Sequence, residues 1–298
     1  MIEVANVFKS FGAAFAVKDV SFTAPAGAIT AFVGPNGAGK STVLRMIAGL
    51  ASPDRGRVLV EGRPYAEAAD PAGTMGVFLS AESIPDRMTA LDYLVYAARL
   101  QGRSAREARS ALSLVGLDGA EQVRVRRMSL GMRQRLGIAV TGLGDPRILL
   151  LDEPSNGLDP AGVQWFREYI THQAGRGAAV LLSSHHMAEL ALVAHRVVMI
   201  EAGRIVTEGT VSDFVATEQN PSVFVRAVDT ISLRAALIRH GLRCEEFDDG
   251  MLVHDVSPQE VGRIAFEESA GLRHLTVRER SIEQTYFERL APTAGGAE

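Results

Sequence analysis

A glycine-rich segment lies directly after a short apolar run near the start of the chain. The apolar run, Ile29–Val33, predicts a buried strand, and the nine residues that follow are Gly-Pro-Asn-Gly-Ala-Gly-Lys-Ser-Thr. An apolar-periodic helix through Ala48 begins within this segment. Glycines at this spacing let successive backbone N–H groups turn inward, where they and the helix N-terminus can hold a chain of phosphates. The segment therefore predicts a phosphate-binding loop, residues 34–42, between a strand and a helix of an α/β domain.

The positions of this phosphate-binding loop have separate expected roles. Lys40 places a positive charge at the β- and γ-phosphates of a bound ATP, and Ser41 supplies a hydroxyl that can ligate Mg²⁺. A glycine-rich turn that fits the pattern by chance is the alternative, and the strand before the loop and the helix after it favour ATP and Mg²⁺ binding. The remaining expected nucleotide-binding residues of the loop are Gly34, Asn36, Gly37, Ala38, Gly39 and Thr42.

Two adjacent carboxylates follow a second apolar run. The run Ile148–Leu151 predicts another buried strand, and Asp152 and Glu153 come directly after it, at the end of the strand where open α/β sheets bind ligands. We expect Asp152 to hold Mg²⁺ and Glu153 to orient and deprotonate the water that attacks the γ-phosphorus. Without the phosphate-binding loop, such a pair is more often a solvated strand end.

The pattern of the first two hundred residues is typical of a largely parallel sheet. Further strands are predicted over residues 178–182 and 197–200. Between the first two strands the pattern turns helical: Thr89 and Ser104 look like N-caps of helices that end near Gln101 and Val115, with Gly116 as the stop. We therefore expect an inserted helical subdomain over about residues 80–140.

A second, smaller domain is expected after a boundary near residue 215, which gives domains of 1–215 and 216–298. The predicted order is strand 223–227, helix 231–240, strand 243–247, an Asp-Asp-Gly turn, strand 251–256, helix 258–268 and strand 272–277. This βαββαβ order predicts a small α+β, ferredoxin-like module. A last amphipathic helix over 282–290 and a polar tail complete the prediction.

Composition excludes several classes of function. The 31 Lys and Arg residues against 35 Asp and Glu residues leave a net charge of -4, so no general positive field favours nucleic acid as a partner. The single cysteine, Cys244, cannot form an internal disulfide. The N-terminus lacks the basic start and apolar core of a signal peptide, and no apolar run is long enough for a membrane span. We expect a cytoplasmic chain with no direct membrane span.

The order of the motifs resembles the ATP-binding subunits of ABC transporters. The phosphate-binding loop is followed by Ser-Leu-Gly-Met-Arg-Gln-Arg over 129–135, here named the signature segment, then by Leu-Asp-Glu-Pro-Ser-Asn-Gly-Leu-Asp-Pro over 151–160 and by Ser-Ser-His over 183–185. The match covers about residues 1–210, and the signature segment is similar to the bacterial drug and lipid exporter branch. The stretch 281–287 resembles that branch as well.

This resemblance implies a function and a set of partners. It implies the P-loop fold of ABC ATPases, ATP hydrolysis coupled to transport, with export favoured over import, and a separate transmembrane permease that keeps the chain at the inner face of the membrane. It also implies an ATP-dependent head-to-tail dimer with a second copy. In that dimer, Ser129 and Gly131 contact the γ-phosphate bound by the other copy, and Asp159 lies at the interface.

The resemblance also assigns roles outside the motifs already described. His185 would contact the γ-phosphate, so that Glu153, His185 and Lys40 are the expected catalytic residues. Phe11 would stack on adenine with Val17 beneath the base. Purely structural alternatives stay open: a surface position for His185, ordinary packing for Phe11, and a helix cap for Asp159.

Two positions depart from the family pattern. Ser80, four residues after Gly76, stands where the family has a glutamine that links Mg²⁺ to the contact with the membrane domain, and its shorter hydroxyl can still reach a metal-bound water. Leu130 replaces a glycine of the signature segment.

Two other functions remain as alternatives, a non-transport ABC ATPase acting on ribosomes or DNA and a regulatory subunit that binds ATP without turnover. The intact pair of Asp152 and Glu153 argues against the second.

Overall fold

The structure is a computed structural model that describes residues 1–12, 14–184, 192–215 and 222–278. The chain divides into two compact units, Met1–Thr210 and Val211–Glu298, so the division falls at residue 210 where the sequence predicts 215. The strands of the first unit are β1 (Ile2–Phe11), β2 (Ala14–Ala24), β3 (Ile29–Val33), β4 (Arg55–Val60), β5 (Met75–Phe78), β6 (Ile148–Leu151), β7 (Ala179–Ser184), β8 (Arg196–Glu201) and β9 (Arg204–Thr210). Its helices are α1 (Lys40–Ile47), α2 (Pro71–Thr74), α3 (Ala90–Leu100), α4 (Ala105–Leu114), α5 (Leu130–Thr141) and α6 (Pro160–Gly175).

A six-stranded sheet forms the centre of the first unit, in the order β5-β6-β7-β3-β8-β9. The first five strands are parallel and β9 is antiparallel to β8. Strands β3, β6 and β7 are buried along their whole length, which is why their sequences are nearly continuous apolar runs. The predicted α/β class is confirmed. Because these strands are parallel, their carboxyl ends at Val33, Leu151 and Ser184 all lie at the same edge of the sheet.

A second, antiparallel sheet of order β2-β1-β4 shares the core of the first unit. The side chains of β2 alternate between the core and the surface, as expected for a sheet with one solvated face. Phe22 of β2 stacks on Phe32 of β3 with ring centroids 5.1 Å apart. This contact joins the two sheets beneath the phosphate-binding loop that follows β3.

The expected helical subdomain consists of α3, α4 and α5 around its own apolar core. Ser104 caps α4 with the complete reciprocal capping box to Glu107, and the Thr89 hydroxyl accepts the Asp92 N–H at the start of α3. Gly116 adopts a positive φ of 68° shortly after α4 ends. The caps that the sequence predicts for α3 and α4 are therefore present.

The second unit contains α7 (Val211–Val215), β10 (Ser222–Ala227), α8 (Thr230–Arg239), β11 (Cys244–Phe247), β12 (Gly250–Val253), α9 (Pro258–Glu267) and β13 (Leu272–Arg278). After α7, the element order is the predicted βαββαβ. The antiparallel sheet has the order β11-β12-β10-β13, which is the strand arrangement of a ferredoxin-like module. The helix predicted over 282–290 lies outside the described residues. Within the described ranges, no helix is both long and apolar enough to cross a membrane.

The buried central sheet predicts the stability effect of one substitution. Leu150 on β6 is fully buried, whereas Leu50 is 68% exposed. Leu150→Ala should lower the free energy of unfolding by about 3 kcal/mol, because it removes buried methyl groups and leaves a cavity. The measurement is urea unfolding followed by the fluorescence of the single tryptophan, Trp165, in the first unit. The control Leu50→Ala should change the free energy of unfolding by less than about 0.5 kcal/mol. Equal losses of this free energy in the two variants would contradict a core position for Leu150.

Candidate nucleotide-binding site

The phosphate-binding loop needs glycine at particular positions. Gly37 and Gly39 have φ values of 81° and 107°, in the region that side chains rarely adopt. At Gly39 an added Cβ would lie 2.5 Å from the Ala16 carbonyl oxygen, and at Gly34 it would lie 2.2 Å from the Ile200 carbonyl oxygen. The glycines therefore serve both the turn of the loop and its close packing on neighbouring backbone.

Lys40 opens helix α1 and carries a charge that is almost entirely buried. Its side chain is 6% exposed, and its ammonium donates hydrogen bonds to the carbonyl oxygens of Gly34, at 2.7 Å, and Pro35, at 3.2 Å. The Nζ atom also lies 3.5 Å from Oε1 of Glu153. A buried ammonium is stable only with such partners. The loop thus holds a cation beside the end of β6.

A cavity of about 220 Å³ lies at this point of the sheet edge. The residues that line it come from the phosphate-binding loop, from β2 and from the end of β6. They are Ala16, Asn36, Gly37, Gly39, Lys40, Ser41, Thr42 and Glu153. Gly34 and Ala38 serve the loop differently: Gly34 packs on Ile200, and Ala38 is buried in the core. The fold therefore brings most of the predicted loop residues together with Glu153.

Ser183 joins the two carboxylates that follow β6. Its hydroxyl donates to Oδ1 of Asp152 at 2.5 Å and accepts the N–H of Glu153 at 2.9 Å. Ser183 is fully buried and Asp152 nearly so. Ser183 has no role among those expected from the sequence, although a serine within the apolar strand β7 is a signal for one. Asp152 is thereby fixed in orientation before any ligand is bound.

The backbone of Glu153 has an uncommon conformation, and it is bonded by Gln134, a second residue that was not expected at the site from the sequence. Glu153 has a φ of 46°, and Nε2 of Gln134 donates to its carbonyl oxygen at 3.1 Å. Gln134 belongs to α5, and its side chain is buried. Non-glycine residues with positive φ cluster at functional sites. The peptide of Glu153 is thus held from β7 on one side and from α5 on the other.

The two residues expected around adenine, Phe11 and Val17, differ in their exposure. Phe11 is 60% exposed, with Nζ of Lys9 lying 5.7 Å from its ring centroid, so its ring is available for stacking. Val17 is fully buried in the core, which excludes the predicted contact with a base. Because side chains alternate along a strand, it is the preceding residue, Ala16, that lines the cavity.

The strand end that carries Phe11 is anchored by Asp54. Its carboxylate accepts hydrogen bonds from Nζ of Lys9, at 2.9 Å, and from both the hydroxyl and the N–H of Ser10, each at 2.7 Å. The hydrogen bond from Lys9, followed by those from Ser10, lowers the pKa of Asp54 to about 2. The carboxylate therefore stays charged and keeps this strand end in place at neutral pH.

The signature segment and Asp159 form helix caps in this chain. The Ser129 hydroxyl accepts the Met132 N–H at the start of α5, and Asp159 accepts the Gly162 N–H at the start of α6. Ser129 is exposed, and Leu130 is 52% exposed. The described residues that line the 220 Å³ cavity include neither Asp159 nor any residue of the signature segment.

Ser80 has a local role in the structure. Its hydroxyl accepts the N–H of Glu82 and so caps the short 3₁₀ turn Ala81–Ser83. Ser80 does not belong to the described residues that line the cavity. His185, expected at the γ-phosphate, lies outside the described residues.

The chemistry of the remaining side chains fits Mg²⁺. The hydroxyl of Ser41 lines the cavity, and the Asp152 carboxylate is held in orientation by Ser183 at the adjacent strand end. Mg²⁺ prefers oxygen ligands and is usually held by one or two protein groups together with substrate phosphates and water. A hydroxyl and an oriented carboxylate beside a phosphate-binding loop satisfy that preference.

Comparison with known proteins agrees with the fold. Residues 17–156 match the ABC transporter family, and residues 221–283 match a domain of unknown function, DUF8746. Over 292 residues the chain is 32% identical to the Nod factor export ATP-binding protein I of Paraburkholderia xenovorans (strain LB400), covering 96% of this chain and 95% of that protein. Over 208 residues it is 34% identical to the lantibiotic transport ATP-binding protein SrtF of Streptococcus pyogenes, covering 70% and 90%. The chain belongs to the ATP-binding proteins of the ABC transporter family, and it is an ATPase of that type.

Two solved structures share the fold of the first unit. The structure of an ATP-binding subunit of an ABC transporter superposes with a TM-score of 0.66 at 28% identity, covering 72% of this chain and 92% of that one. The dimeric bacterial cassette MJ0796 gives a TM-score of 0.65 at 22% identity, covering 71% and 99%.

Two glycines of the loop give a matched test of the site. Gly39→Ala should weaken ATP binding by about 100-fold or more, because the new Cβ meets the Ala16 carbonyl at a φ of 107°. Gly37→Ala has open space around its Cβ, so it should lose less affinity, by about tenfold. The measurement is equilibrium binding of a fluorescent ATP analogue to the full chain. Equal losses in the two variants would contradict the packing described for Gly39.

Proposed function

We propose that this chain is the ATP-hydrolysing subunit of an ABC exporter, working as a dimer on a separate transmembrane permease. One observation carries the proposal: the buried Lys40 ammonium lies 3.5 Å from the Glu153 carboxylate in a cavity lined by the phosphate-binding loop. A phosphate-binding cation and a candidate general base therefore lie within a few ångströms of each other at the edge of the sheet.

ATP binding would replace the present partners of Lys40. The ammonium would leave the carbonyl oxygens of Gly34 and Pro35 and donate instead to oxygens of the β- and γ-phosphates. The backbone N–H groups of the loop and the N-terminus of α1 would bind the same phosphates. The exposed ring of Phe11 would stack on adenine, and Ala16 would contact the nucleotide in place of Val17.

Mg²⁺ would be held by the hydroxyl of Ser41 and, directly or through water, by Asp152. When bound, the ion neutralises charge on the β- and γ-phosphate oxygens. The Ser80 hydroxyl oxygen, which already accepts the Glu82 N–H, has a second lone pair that could accept a hydrogen bond from a metal-bound water. This would be a shorter substitute for the glutamine of the family.

Hydrolysis requires a water placed in line with the γ-phosphorus and a group that takes its proton. Glu153 would accept that proton, with Lys40 stabilising the negative charge that develops on the phosphate. His185 would be a further γ-phosphate contact. Ser183 would keep Asp152 and the Glu153 peptide in their relative orientation while the proton moves.

A second copy would complete each site. In the described part of the chain the signature segment does not reach the cavity of its own phosphate-binding loop, and its leading serine is exposed. A head-to-tail dimer would bring Ser129 and Gly131 of one copy to the γ-phosphate held by the other, with Asp159 at the interface. The positive end of the α5 dipole favours such a contact.

The proposals of a membrane partner and of a direction of transport are based on the names of similar proteins. One similar protein is named for Nod factor export and another for lantibiotic transport. By analogy, this chain would power export by a permease, from a peripheral position on the cytoplasmic face of the membrane. Residues 1–215 would form the motor domain, and 216–298 an accessory or regulatory domain.

Glu153→Gln tests the proposed catalytic step. Loss of the base should lower kcat by about 100-fold or more while nucleotide binding survives, so that a dimer containing ATP accumulates on size-exclusion chromatography with MgATP. The exposed Glu168→Gln on α6 is the matched control and should retain wild-type turnover. Steady-state ATPase activity near wild type in Glu153→Gln would rule out Glu153 as the base.

Lys40→Ala tests the binding step separately. Removing the ammonium should abolish detectable binding of a fluorescent ATP analogue, because the phosphates lose their strongest donor in the loop. Thermal unfolding of the variant verifies that it is folded. ATP affinity unchanged in a folded Lys40→Ala variant would contradict the proposed role of the loop.

A further inference from the structure

Glu153 is held by hydrogen bonds to its backbone, and one of the side chains that make them lies on the helix of the signature segment. The N–H of Glu153 donates to the hydroxyl of Ser183, and its carbonyl oxygen accepts from Nε2 of Gln134. Its φ of 46° lies in the left-handed region, which is uncommon for a residue other than glycine. Together with the Asn156 N–H, which donates to the same carbonyl oxygen at 3.2 Å, these two side chains hold the Glu153 peptide and so help to set the direction of its side chain.

Gln134 is an unusual residue to bury at this place. Its side chain is 4% exposed, and within the described part of the chain its Oε1 atom has no hydrogen-bond partner. Burying an amide oxygen without a partner is unfavourable, and an apolar residue of the same size would avoid it. Among the described residues, the amide makes its hydrogen bond to Glu153, and that bond accounts for a glutamine at this position.

The same helix contacts the loop after Glu153 at a second point. At Gly131, in the first turn of α5, an added Cβ would lie 2.8 Å from the carbonyl oxygen of Gly157. Gln134 follows one turn later, about 4.5 Å further along the helix axis. A short helix is stiff, so a movement of its first turn also moves the Gln134 amide relative to Glu153.

We propose that Gln134 is a positioning residue for the general base, and that it ties Glu153 to the signature helix. The inference rests on the proposed function. In the proposed dimer, the first turn of α5 faces the γ-phosphate held by the other copy. Through Gln134, that contact would set the orientation of Glu153 in the site of its own copy, so that each site is fully competent only when the other holds ATP.

A matched pair of variants separates positioning from stability. Gln134→Met keeps the size of the side chain and removes the donor to Glu153, and Gln173→Met makes the same change at a buried glutamine of α6. Gln134→Met should lower kcat by about tenfold with the KM for ATP changed less than about twofold. Gln173→Met should alter neither value by more than about twofold. An equal fall of kcat in both variants, or a rise in KM that matches the fall in kcat, would overturn the proposal.

A double variant shows whether Gln134 acts through Glu153. In the Glu153→Gln background, adding Gln134→Met should leave the MgATP-dependent dimer and its nucleotide content unchanged, because the group being positioned is already disabled. Loss of the dimer in the double variant would mean that Gln134 acts on closure, which contradicts the inference. If the wild-type chain hydrolyses no ATP, or Glu153→Gln alone traps no dimer, it is the proposed function that fails.

The link to the first turn of α5 has its own test. Ser129→Ala and Gln134→Met should lower kcat non-additively, because both changes interrupt the same connection to Glu153. A double variant whose kcat falls by the product of the two single effects would show independent roles and would overturn the connection through α5.

Discussion

The site depends on a positive charge that the fold holds away from water. The Lys40 ammonium is accommodated by two loop carbonyls and by the carboxylate of Glu153, and that arrangement requires the tight glycine turns of the loop and the strand end of β6 to meet. A buried ammonium needs acceptors or anions around it, so the oxygens of a phosphate can take the place of these partners. Phosphate affinity is thus a consequence of how the loop packs as well as of which residues it contains.

The parallel sheet makes that meeting possible. Strands β3, β6 and β7 are neighbours that run in one direction, so the phosphate-binding loop, the two carboxylates and the end of β7 leave from one edge. The strands themselves are apolar and buried on both faces, and they contribute rigidity. Ser183 shows how the sheet also takes part in the chemistry, because a hydroxyl within β7 orients both Asp152 and the peptide of Glu153.

The sequence predicts the parts of this structure that depend on local pattern. The buried strands, the helix caps and the loop follow from apolar periodicity and from glycine spacing, which act over a few residues. The roles of Val17, Ser183 and Gln134 depend on which face of a strand points inward and on contacts between residues distant in sequence. Arg135 of α5 shows the same limit, because its contact with the Trp165 ring and its hydrogen bond to the Val115 carbonyl join residues distant in sequence.

With a buried cation in the phosphate-binding loop, the phosphate chain, more than the base, should give the nucleotide its affinity for this chain. Calorimetric titration of the full chain with ATP and with AMP, both in the presence of magnesium, tests it most directly. Losing the charge-assisted hydrogen bonds to the β- and γ-phosphates should make AMP bind at least about 100-fold more weakly than ATP. AMP binding as tightly as ATP would contradict the account.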